Sequence, residues 1–103
     1  MSDIKTVSES IEKLITELVD YLENNGIRRE NYLSLDDLND IIKSVHLMTS
    51  PLGASSQEIK QLHSDMEYIG RGLQGLMKSG EFDDKYDELQ GYFNALQVAH
   101  NSI

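Results

Sequence analysis

Cysteine and tryptophan are absent from this 103-residue chain, and proline occurs once. Without thiols there is no disulfide framework, no thiolate metal site and no cysteine nucleophile, so the fold must stand on packing. Basic residues are scarce as well: nine Lys and Arg face 18 Asp and Glu, a formal charge of -9. Such a molecule repels nucleic acid phosphates and anionic lipid headgroups at long range, which argues against direct binding to DNA, RNA or membranes. No run approaches the roughly 18 apolar residues that span a bilayer. The N-terminal stretch MSDIKTVSESIEK also lacks the basic-then-apolar order of a secretory signal. The expected compartment is the cytoplasm.

What is present reads as one domain over residues 1–103. With 39% hydrophobic and 26% charged residues, a chain of this size buries roughly two thirds of its unfolded surface in a single core. The glycines are scattered and no low-complexity tract occurs, so no linker or domain boundary is placed.

Apolar spacing predicts four helices, at about 3–24, 35–48, 56–78 and 84–100. In the first, Ile4, Val7, Ile11, Leu14, Ile15, Leu18 and Leu22 recur by three and four, with Glu9, Lys13, Glu17, Asp20 and Glu23 opposite, and Asn25–Gly26 supplies the stop. Ser34 with Asp37 opens the second as an aspartate variant of the capping box, with Leu33 and Leu38 placed as a hydrophobic staple. Its stripe is Leu35, Leu38, Ile41, Ile42, Val45 and Met48, and it ends before Pro51 in the loop TSPLGA.

Ser55 and Glu58 form a full capping box for the third helix, whose Ile59, Leu62, Met66, Ile69, Leu73 and Leu76 make a heptad seam. Beyond a turn at Ser79–Gly80, the positions Phe82, Tyr86, Leu89, Phe93 and Leu96 repeat the pattern, so the last two helices should pair as a hairpin. The expected fold is all-α: a four-helix, mostly antiparallel bundle whose shorter second helix leaves a groove or ledge.

Three motifs invite functional readings. Gly70, Gly72 and Gly75 spell G-x-G-x-x-G, but a dinucleotide fingerprint works between a strand and a helix start, and here the letters lie inside a helix. Three helical glycines, each unfavourable by about 1 kcal/mol relative to alanine, point instead to close packing or a kink. The alternative is a partner backbone laid on the bare surface, with Arg71 as an exposed contact. Glu81, Asp83, Asp84, Asp87 and Glu88 crowd eight residues; carboxylates at a helix start are stabilised by its amides and dipole, yet with Tyr86 and Tyr92 they would also make an acidic, aromatic-bearing patch for a basic groove. His63 and Glu67, at i and i+4, are two ligands and make no metal site by themselves.

No nucleophile elbow, phosphate loop or metal-ligand spacing is found, so no catalytic, cofactor-binding or metal-binding residue is assigned and the chain is not expected to be an enzyme. The expected activity is protein binding. The reading placed first is an acidic immunity or antitoxin-like inhibitor that neutralises a basic, nuclease-type toxin domain through Glu81, Asp83, Asp84, Tyr86, Asp87, Glu88 and Tyr92, with Arg71 beside them. The alternatives are a helical adaptor or secretion chaperone that receives a partner helix or forms a homodimer, and a phage-type inhibitor that mimics nucleic acid to block a nucleic acid enzyme. Spare apolar positions at Val19, Tyr21, Leu47, Met77 and Val98 motivate the adaptor.

Overall fold

The computed structural model describes residues 4–49 and 54–103, and over these residues it has four α-helices and no β-strand. They are α1 (Ile4–Asn24), α2 (Leu35–Leu47), α3 (Ser56–Lys78) and α4 (Tyr86–Asn101). The expected bounds hold to within about two residues. The helix start at residue 3, the Ile4 side chain and residues 50–53 of the TSPLGA loop lie outside the described residues.

Local chemistry explains the helix ends. Gly26 takes φ 65°, the Ile27 N–H reaches the Leu22 carbonyl at 2.9 Å and the Gly26 N–H the Glu23 carbonyl at 3.1 Å. This is a Schellman cap, and its apolar pair, Leu22 and Ile27, is buried. The Ser55–Glu58 box closes in both directions: the Glu58 N–H donates to Ser55 Oγ at 3.2 Å and the Ser55 N–H to Glu58 Oε1 at 3.0 Å. The Ser34 cap is different. The Asp37 N–H donates to Ser34 Oγ at 3.4 Å, but the Ser34 N–H goes to the Tyr68 hydroxyl of α3 at 3.0 Å, and that hydroxyl donates to Asp37 at 3.2 Å. Tyr68 is thus a relay that completes the cap of α2 from another helix.

The helices stand in a ring. α1 packs broadly against α2 and α4, α4 packs against α3, and α2 meets α3 only lightly. Residue pairs fix the directions. Glu12, early in α1, lies 3.0 Å from His46, late in α2; His63, early in α3, lies 3.3 Å from His100, at the end of α4. Both hairpins are therefore antiparallel. Val7, Ile11, Ile15, Leu18, Leu22, Leu38, Val45, Leu62, Met66, Ile69, Leu73, Leu76, Leu89 and Leu96 are buried together in one core. Of the spare apolar positions, Val19 is buried and Tyr21 and Met77 are half-buried, whereas Leu47 and Val98 are each 68% exposed.

Two expectations change. The chain enters α4 through a 3-10 turn at Asp83–Lys85, so the heptad does not run unbroken from Phe82. A tighter turn advances the side chains by a different angle per residue; Tyr86 is rotated off the seam and is 45% exposed, and the buried stripe starts at Leu89. The glycines of α3 receive the α1–α2 connection. A Cβ on Gly72 would lie 2.5 Å from side-chain carbons of Leu33 and nearer still to the Tyr32 carbonyl oxygen, and one on Gly75 would lie 2.8 Å from Tyr32 Cε1. Gly70 is different, since its nearest neighbours, Phe93 and Leu96 of α4, stand at 3.7 and 3.8 Å. The close approach is therefore made by a loop rather than by a helix or a foreign backbone.

Candidate functional site

The acidic segment around the start of α4 is held by bonds within the chain. Arg29, on the α1–α2 connection, grips Glu81 with two prongs, Nε to Oε2 at 2.7 Å and Nη2 to Oε1 at 3.1 Å, a geometry that guanidinium and carboxylate match well. Its Cζ also stands 6.0 Å from the Phe82 ring centre. The hydrogen bond from Arg29 holds the Glu81 carboxyl below its ordinary range. Glu81 therefore ties the α3–α4 turn to the α1–α2 turn. Lys85 does the same locally for Asp84, at 3.0 Å, and lowers its pKa in turn.

Asp83, Tyr86 and Asp87 are exposed. Arg71 stands apart from this cluster: on α3 it faces Glu67 one turn away at 3.7 Å and lines a shallow cleft with Gln74, Phe93, Gln97 and His100. His63 turns to His100 rather than to Glu67, their rings meeting edge to face with centroids 4.9 Å apart. Among the described residues, no group of three or more His, Asp or Glu is placed to hold a metal ion.

A feature that local reading missed lies where α1 meets α4. The Tyr21 and Tyr92 rings pack against each other with centroids 5.2 Å apart and planes tilted by 47°, and the Tyr21 hydroxyl donates to Glu88. Burial, then the bond to Glu88 and the charges of Glu88 and Asp84, push the Tyr21 phenol well above its ordinary value. Burial raises Tyr92 as well, followed by the charges of Glu17, Glu88 and Asp20. α1, α4 and the 3-10 turn before α4 thus assemble a tyrosine pair among four carboxylates, Glu17, Asp20, Asp84 and Glu88. In the sequence its α1 half reads as Glu17 and Asp20 on the polar face of the first helix and Tyr21 as a spare apolar position.

These phenol shifts carry a sign. A folded-state pKa above the unfolded value of about 10 keeps the hydroxyl protonated in the native state while the unfolded chain ionises. The associated stability is complete below about pH 10 and is lost as pH rises through the folded pKa. Urea unfolding followed by circular dichroism between pH 8 and 11 should show stability falling above about pH 10. The slope should be shallower in Tyr21→Phe; an unchanged alkaline slope would contradict the phenol–carboxylate contact.

No helix among the described residues is long and apolar enough to cross a membrane. Compared with protein-family models, curated proteins and solved structures, the chain matches none of them.

Proposed function

We propose that this chain is a non-catalytic binding protein that neutralises a basic protein partner in the cytoplasm, in the manner of an immunity or antitoxin protein against a nuclease-type toxin domain. The α1–α4 face makes the contact. The observation that carries the reading is the Tyr21–Tyr92 pair with Glu17, Asp20, Asp84 and Glu88 about it. Paired, half-exposed phenol rings offer amphipathic anchor area with little rotamer freedom left to lose. Surrounding carboxylates draw in a cationic surface and fix its register. Asp83, Tyr86 and Asp87, exposed at the start of α4, widen the surface. The groups with displaced pKa values are exposed or half-buried, and each is accounted for by neighbours within the fold. An inhibitor that presents carboxylates in place of nucleic acid phosphates shares this support and differs in its target. The adaptor or secretion-chaperone reading draws on a separate observation, the exposed Leu47 beside the light α2–α3 contact.

Affinity capture with the purified domain from its source cells, at low and at high salt, tests the reading. A basic protein retained at low salt and released at high salt is the expected result, because contacts between exposed charges are screened beyond about 8 Å at physiological ionic strength. A salt-resistant helical partner, or recovery of the domain alone, would move the assignment to the adaptor or the homodimer.

A further inference from the structure

The ring α2–α1–α4–α3 has one open seam, and it lies across the bundle from the tyrosine face. Between α2 and α3 runs a groove with two halves that share Ser44, Gln61 and Asp65. Its apolar floor is Ile41, Val45, Met48 and Leu62, with exposed Leu47 at one mouth. Its other end is closed by the Tyr68 relay between Ser34 and Asp37.

The charge of the lining is one-sided: Asp37, Asp40, Glu58 and Asp65 are there, and no Lys or Arg is among the described residues that line either half. Three of these carboxylates are held by uncharged donors, Asp37 by the Tyr68 hydroxyl, Glu58 by Ser55 and Asp65 by the Gln61 amide at 2.9 Å. Hydrogen bonds of that kind orient a carboxylate and leave its charge uncompensated. Thirteen residues of α2 at 1.5 Å each give a wall of about 20 Å, enough for some three to four turns of a second helix.

We propose that the α2–α3 groove is a second docking surface and that its occupant is a basic amphipathic helix of a partner protein, with apolar side chains against the exposed Leu47 and over the narrow exposed edges of Ile41, Val45 and Leu62, and Lys or Arg against Asp40 and Asp65. This is helix-in-groove recognition, in which anchors at i, i+3, i+4 and i+7 fill the floor and complementary charge sets orientation and rejects acidic competitors. A second copy of this acidic chain would bring like charges together here, so the groove selects for a cationic visitor.

The proposal goes beyond the α1–α4 reading, and the test keeps the two apart. The probe is a synthetic peptide of about 14 residues, roughly four helical turns, with leucines on one face and lysines on the rest. Its controls are a scrambled peptide of the same composition and a version with Glu for Lys. Methyl and amide NMR shifts should saturate and concentrate on Ile41, Val45, Leu47 and Leu62. Affinity should fall about tenfold or more in Asp40→Lys/Asp65→Lys and by less in the milder Asp40→Asn/Asp65→Asn, which covers the case that charge reversal disturbs folding. Leu47→Ser should also weaken binding, and Asp83→Asn/Asp87→Asn should leave it unchanged.

Equal binding of the scrambled peptide, shifts centred on Tyr21 and Tyr92, or no saturable shift at all would each overturn the groove. Partner capture through the α1–α4 face would stand through any of these results. Groove binding of the peptide, together with a captured partner whose association is indifferent to Asp83→Asn/Asp87→Asn, would overturn that face alone.

Discussion

Gly72→Ala is expected to destabilise the fold, although alanine is the better helix former at any solvated helical position by about 1 kcal/mol. The added Cβ has nowhere to go: Leu33 side-chain carbons stand 2.5 Å away and the Tyr32 carbonyl oxygen is closer. The obstacle is backbone as well as side chain, and relieving it means lifting the α1–α2 connection off α3. Overpacking of this kind typically costs about 1–3 kcal/mol and occasionally more; with backbone among the obstacles the upper end applies, and a net loss of roughly 2 kcal/mol is expected once the propensity gain is counted. Gly91→Ala in α4 is the opposite case. A Cβ there meets nothing within 4 Å, and the variant should gain roughly 0.5–1 kcal/mol from propensity and from the reduced freedom of its unfolded chain. Urea midpoints of the two variants should move in opposite directions; a shift of the same sign in both would contradict the packing assigned to the α3 glycines.

Leu38→Ala should have a larger effect. Leu38 is fully buried and is the fourth residue of α2, the shortest of the four helices at 13 residues. A helix of that length is marginal by itself in water and depends on its packed face. Truncating a buried leucine removes its transfer free energy and leaves a void, together about 2–5 kcal/mol. The loss is a large share of the 5–15 kcal/mol typical of a small domain. Amide hydrogen exchange should register it first in α2, because that helix leans chiefly on α1. Uniform loss of protection across all four helices, or a change under about 1 kcal/mol, would contradict the role given to this residue.

Legibility in the sequence followed the distance between interacting residues. The Ser55–Glu58 box and the Gly26 stop could be read because every partner lies within a few residues. The Ser34–Asp37 box could be read only in half, since Tyr68, which completes it, is 34 residues away. The glycines of α3 were legible as an unfavourable choice needing a reason, but nothing local pointed to Tyr32 and Leu33 as what fills the space. Tyr86 shows the reverse error: its spacing fits the heptad, yet one 3-10 turn rotates it into solvent. The acidic segment was legible as a count of carboxylates, whereas Arg29 engages Glu81 from 52 residues away and Tyr21 engages Glu88 from 67. Those bonds redistribute the candidate site, leaving Asp83, Tyr86 and Asp87 at its edge and bringing Glu17, Asp20 and Tyr21 of α1 into its middle. The open α2–α3 seam was legible only as the expectation that a short helix leaves a ledge.

The most direct test of acidic partner binding is the association rate of the captured partner with the native domain and with Asp83→Asn/Asp87→Asn, measured at low and at high ionic strength. That variant spares Glu81, Asp84 and Glu88, whose bonds hold the fold, and moves the formal charge from -9 to -7 by removing two carboxylates. Association of the native domain should be fast at low salt and slow steeply as salt is added, and the variant should start slower and respond less, because steering acts on the encounter more than on the formed complex. Rates that are the same for both proteins and flat with ionic strength would contradict the account.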